Sequence, residues 1–225
     1  MSREQYAAVS GASAAWRRMD TVAQNLANSS TVGFRGQRVA FELTDPAAGL
    51  VDVSATVADR RSGAIHSTGN ATDVALRSPG WFAVEGASGA MLTRAGDFQV
   101  RADGRLVTAG GASVLGQSGP IDLPIGESFA IEADGRIVAE RSGEIDRIRV
   151  VDATAEPAGG NLWRPTGPLT EVTPDLVQGA LEGSNVDPLA MMVELVEAGR
   201  AFEIFQQAIR GSDELDGRLH EFGGR

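Results

Sequence analysis

The chain has 225 residues, enough for a packed core in one large domain or two small ones, and a formal charge of −10 spread along its length. That acidic balance argues against nucleic acid, whose phosphates require a basic face, and against a polybasic membrane-surface anchor. Cysteine is absent and all 20 basic side chains are arginine, which excludes disulfide frameworks, zinc knuckles, thiol nucleophiles and catalytic or phosphate-binding lysines.

Residues 2–28 carry a helical pattern. Val9, Ala12, Trp16, Met19, Ala23 and Leu26 recur at alternating steps of three and four, the seam of a coiled coil. Ser2-Arg3-Glu4-Gln5 fits a capping box, and Asn28-Ser29-Ser30 with Gly33 supplies a stop. Such a helix is about 40 Å long at 1.5 Å per residue. Trp16 and, at the other end of the chain, Phe202 are expected in helix–helix contacts, because aromatic side chains supply much of the buried area in such seams. Asn25 and Asn28 either fray the helix end or satisfy backbone groups beyond it.

Between residues 37 and 182 the pattern changes to short apolar or β-branched runs separated by Gly, Pro, Asp and Asn. The expected strands are Val51–Val57, Val74–Leu76, Trp81–Val84, Phe98–Val100, Leu106–Thr108, Phe129–Ile131 and Ile145–Val151. Asp103-Gly104 and Asp134-Gly135 predict hairpins with tight primed turns, in near-identical surroundings, Ala102–Val107 and Ala133–Val138. The glycines at 110, 111, 116 and 119 lack the spacing of a nucleotide loop and read as turns. From 187 to 211 helical spacing returns. Asp187 is a good N-cap, Pro188 a good first helical residue, and Met191, Leu195, Ala198, Phe202, Phe205 and Ile209 step four-three-four-three-four until Gly211. The fold class is therefore α+β and mainly β. Terminal helices over 1–36 and 183–225 form a coiled-coil-like domain around a central all-β domain at 37–182.

A catalytic set is not apparent. His66 and His220 are the two histidines, distant and in unlike contexts, so metal sites and Ser–His–Asp arrangements lack material, and no cofactor is expected. A glycan hydrolase built on two carboxylates, or a sugar-binding β module, are the rival classes; neither needs two apolar helical seams at the chain ends.

Several segments resemble the flagellar rod and hook protein family. Asn25-Leu26-Ala27-Asn28-Ser29-Ser30-Thr31-Val32-Gly33-Phe34-Arg35 is similar to the family's N-terminal signature, and Leu181-Glu182-Gly183-Ser184-Asn185-Val186-Asp187 to the one that opens its C-terminal helix. Ser67–Asn70, Asp73–Leu76, Gly80–Val84 and Leu92–Phe98 resemble its first β segment. Gly80-Trp81-Phe82-Ala83-Val84 and Arg200-Ala201-Phe202-Glu203 look more like the proximal-rod members than the distal-rod ones. Gln24 stands where the family has its first asparagine, Ala71-Thr72 replaces Pro-Leu, and the segment between Phe41 and Val57 is short.

The resemblance implies a structural subunit of the basal-body rod. Such a subunit is exported unfolded through the flagellum's own type III apparatus and assembles helically in the periplasm with copies of itself and other rod proteins. Its terminal helices then lie in an inner tube, with the β domain outside, and the rod transmits torque. No nucleic acid, small-molecule substrate or membrane insertion is implied. In agreement, no run approaches the roughly 20 apolar residues of a membrane span, and Met1–Tyr6 has an early acid and no apolar core of a cleavable signal.

Overall fold

The three-to-four periodicity at both ends is realised as two long helices, α1 (Arg3–Ala27) and α2 (Pro188–Gly223). The computed structural model of the chain describes residues 3–45, 50–86 and 89–223. Ser2 of the capping box lies outside them. At the start of α2, Asp187 Oδ1 accepts the Leu189 and Ala190 N–H groups at 3.0 and 3.4 Å, so the expected N-cap is formed. Gly211 does not end α2. A glycine inside a helix costs about 1 kcal/mol relative to alanine, and no proline follows to enforce the stop.

The described residues fall into two compact units, 1–27 with 37–57 and 187–225, and 28–36 with 58–186. These boundaries differ from those read at 36/37 and 182/183, because periodicity reports local pattern and not long-range pairing. In the first unit α1 packs antiparallel on α2: Gly11 lies at Phe205, Arg18 pairs with Glu194 at 2.8 Å, and Asn25 Nδ2 reaches Met191 Sδ at 3.9 Å. A two-stranded hairpin, β1 (Gln37–Asp45) and β2 (Leu50–Ala58), joins them, with β1 against α1. The buried stripe of α1 is Gln5, Ala12, Ala15, Val22 and Asn25, with Met19 and Leu26 half-buried beside it. Small side chains on that face allow close approach. A Cβ on Gly11 would stand 2.3 Å from Phe205 Cε1. Gly11→Ala should therefore destabilise the pair in urea denaturation. The overpacking cost of about 1–3 kcal/mol exceeds the helix-propensity gain of about 1 kcal/mol. Phe205→Leu in the Gly11→Ala background should recover part of the loss by removing the clashing ring atoms.

The second unit is built on a nine-stranded sheet with apolar side chains on both faces. Trp81-Phe82-Ala83-Val84 is buried throughout, and the two-residue alternation of a strand sends its side chains into two cores. Phe82, Val84, Met91, Phe98 and Leu106 fill one, with Phe82 edge-on to Phe98; Trp81, Leu92, Val151 and Trp163 fill the other. A three-stranded sheet (Phe129–Ile131, Arg136–Ala139, Gly143–Arg147) adds Ile131 and Ile137 to the first core.

Both expected hairpins form, with a different turn from the one expected. Gly104 N donates to Arg101 O at 2.8 Å and Arg101 N to Arg105 O at 2.9 Å, and Gly104 alone of the turn has positive φ (90°). That is a three-residue loop closed by a glycine bulge, where a two-residue primed turn of the Asp-Gly type would need positive φ at both residues. Glu132–Arg136 repeats the pattern around Gly135, and Thr108–Ala112 repeats it a third time around Gly111. The run Ile145–Val151 is also not one strand. Its first half pairs with Arg136–Ala139 and its second, Val150–Asp152, with Trp81–Gly86, so the chain changes sheet between them.

Candidate functional site

The two signature segments, separated by most of the chain, meet inside the second unit around one carboxylate. Leu176–Gln178 pairs antiparallel with Val74–Leu76, and Ala180–Glu182 with Ile65–Ser67. This brings the strand that ends at Glu182 beside the loop that follows α1. Gly33 N donates to Glu182 O at 2.7 Å, and Asn185 N to Phe34 O at 3.3 Å. Gly33 has φ of 61°, and a Cβ there would stand 2.3 Å from the carbonyl carbon of Arg94. Phe34 is buried.

Glu182 accepts from both sides. Arg35 Nη2 lies 2.9 Å from Oε1, Arg94 Nε and Nη2 both lie 2.9 Å from Oε2, and Gly63 N donates to Oε1 at 2.9 Å. The side chains of Arg35, Arg94 and Glu182 are 4%, 1% and 1% exposed. Arg94 spends its other donors on carbonyls, Nη1 on Ser78 O and Gly80 O and Nη2 on Leu76 O, and Arg35 Nη1 donates to Arg61 O. Desolvation pushes the Arg35 guanidinium down to about 10 against the pull of Glu182, and burial lowers Arg94 as well. A value near 10 still leaves Arg35 charged at neutral pH, so two buried cations share one buried anion. Backbone carbonyls supply the remaining acceptors. Such a network is strained if any member is lost and specifies one arrangement of its loops when complete.

Asn185 completes the junction. Its Oδ1 accepts Gly36 N at 2.7 Å and its Nδ2 donates to Asp59 O and Arg61 O at 3.0 and 2.8 Å, so a single amide ties three points of two loops. Ser184 Oγ accepts Val186 N at 3.2 Å, and Leu181 and Val186 are half-buried. In the other unit Asn25 bonds the backbone of Gln37 twice, accepting from N and donating to O, each at 2.8 Å. That is the backbone-satisfying role weighed for it. Asn28 O accepts Thr31 N at 3.1 Å, and Ala27 is exposed. Gln24, the departure from the family pattern, bonds Asp20 on the exposed side of α1.

The expected seam residues divide. On α2, Ala198 is buried and Met191, Leu195, Phe202, Phe205 and Ile209 are half-buried. On α1, Ala12 is buried and Met19 and Leu26 half-buried, whereas Val9, Trp16 and Ala23 are exposed, Trp16 to 51%. Sequence reasoning passed over Ala15 and Val22, which complete the inward stripe, and did not single out Arg94. Its signal is a charge directly after the strand residues Met91-Leu92-Thr93, where only a buried partner makes its burial tolerable.

Among the described residues no group of three His, Cys, Asp or Glu could hold a metal ion, and no helix is long and apolar enough to cross a membrane. A cavity of about 150 Å³ is lined by Gln117, Arg147, Arg149, Glu171 and Pro174. It presents one carboxylate, Glu171, in an ion pair with Arg149 at 3.0 Å, and not the pair a glycan hydrolase needs.

Three family models match the chain: flagella basal body rod protein over residues 6–35, flagellar hook protein FlgE/F/G D1 domain over 75–139, and flagellar basal body rod FlgEFG protein C-terminal over 177–221. The flagellar basal-body rod protein FlgF of Escherichia coli (strain K12) is 34% identical, with 98% of each chain covered. FlgF of Rhizobium meliloti is 31% identical with 97% of each covered, and FlgG of Bacillus subtilis 29% with 96% of this chain and 97% of its own. Arg35, Arg94 and Glu182 fall one in each of the three matched segments.

Proposed function

This chain belongs to the flagellar basal-body rod protein family and is a structural subunit of that rod, and from this premise we propose where it sits and how it assembles. It is a subunit of the proximal rod, exported through the flagellar type III apparatus without a cleaved signal. It polymerises helically in the periplasm with copies of itself and other rod proteins, and the polymer carries torque. The helices α1 and α2 make the assembly contacts as a coiled-coil-like pair. The greater identity to FlgF than to FlgG supports the proximal position.

One observation carries the mode of assembly. The two terminal helices already cover one face of each other, yet Trp16, Leu189, Val193 and Val196 remain exposed. Contacts that do not close on themselves build an open helical polymer. Deleting the gene should abolish motility and leave basal bodies whose rods stop at the proximal segment, seen by electron microscopy. A motile deletion strain with full-length rods would remove the reading.

A further inference from the structure

One peptide group of the loop that follows α1 is held from both sides. Val32 O accepts Asn161 Nδ2 at 2.7 Å, and the N–H of the same peptide, Gly33 N, donates to Glu182 O at 2.7 Å. This group is the centre of a turn, since Phe34 N donates to Thr31 O at 3.3 Å. Gly33 has φ of 61° and Val32 does not have a positive φ, which makes the turn type II. Type I and type II turns differ in the direction of this central peptide, so turning it over exchanges one for the other.

Asn161 makes its bond from an unfavourable position. Among the described residues it is the one with positive φ, 59°, that is not glycine. Its Oδ1 is buried, with no hydrogen-bond partner among the described residues. The amide cannot exchange Oδ1 for Nδ2, because Val32 O only accepts. Asn161 follows Gly159 and Gly160, also of positive φ, between strands Ala155–Gly159 and Leu162–Pro165, and its own carbonyl accepts Thr93 Oγ1 at 3.1 Å. A third glycine would make this turn with less backbone cost and no buried acceptor. What asparagine adds is the donor aimed at Val32.

We infer that Asn161 is a positioning residue: its side-chain N–H holds the Val32–Gly33 peptide in the type II direction and so keeps the 28–36 loop joined to Glu182. Without that bond the peptide turns over more often, and each time Gly33 N leaves Glu182 O.

Amide hydrogen exchange of the full chain, read by NMR at Gly33, tests this. Asn161→Gly removes the donor and the backbone cost together. Asn161→Asp keeps the shape and sets a carboxylate oxygen against the Val32 carbonyl. Gly33 exchange should rise about tenfold in Asn161→Gly, the size of one hydrogen bond, and further in Asn161→Asp. The Leu106 and Ile121 amides, which donate to Ile121 O and Val114 O in the first core at 2.9 and 3.0 Å, should keep their protection. A side chain that only filled space would give the reverse order, because aspartate keeps the volume and glycine loses it. An effect of glycine equal to or above that of aspartate, Gly33 exchange as in the parent chain, or equal losses at Gly33 and the two core amides would overturn the inference.

Discussion

Glu182→Ala is expected to cost the β unit about 3–5 kcal/mol, because it strands two buried guanidinium groups at once. Against a typical domain stability of about 5–15 kcal/mol this is a large share, and it corresponds to a fall in Tm on the order of 10 °C. Glu182→Gln should lose nearly as much. Its amide fills the same space and can still accept a hydrogen bond, but both cations remain uncompensated. Urea denaturation followed by the fluorescence of Trp81 and Trp163, packed at 5.3 Å between ring centroids in the second core, measures the effect. A loss below about 1 kcal/mol, the size of an ordinary surface ion pair, would mean the network does not hold the junction. Replacing all three charges by apolar residues is not expected to restore the fold fully, since Arg94 also satisfies the carbonyls of Leu76, Ser78 and Gly80.

Gly33→Ala is the second large effect. A left-handed φ costs a residue with a Cβ about 1–2 kcal/mol, and here that is the smaller part. The added Cβ would stand 2.3–2.4 Å from the carbonyl group of Arg94 and the nitrogen of Ala95, backbone atoms that cannot rotate aside. The loop must lift, which removes the 2.7 Å bond from Gly33 N to Glu182 O and draws Arg35 from its carboxylate. The expected loss is about 3 kcal/mol or more, combining the backbone strain with a broken buried network. Gly69→Ala is the control. It has a similar φ of 72° with nothing within 4 Å of the added carbon, so it should show the conformational cost alone. Equal losses at the two positions would show that packing against residue 94 contributes nothing.

The N-cap at Asp187, the two Asp-Gly hairpins and both helices were legible because each rests on local chemistry: a side-chain acceptor, a positive φ, an apolar period. The α1 seam was half legible. Val9 and Trp16 keep the three-four spacing and face outward, while the stripe that packs on α2 uses Ala12, Ala15 and Val22, where small volume lets the helices approach. Two stripes with the same period interleave on one helix, and periodicity alone cannot say which is turned inward. The bounds of the compact units were not legible for a related reason. Residues 28–36 look like a helix tail in sequence, but their hydrogen bonds go to 182–185.

The family, the helical ends and the β character of the middle follow from the sequence by itself, since residue type and spacing determine them. That Arg35, Arg94 and Glu182 form one buried cluster was decided only in three dimensions. Charges separated by most of the chain have no local signature; their meeting depends on strands 65–67 and 180–182 pairing in register, and low-dielectric burial then makes that register the one arrangement in which every charge is answered.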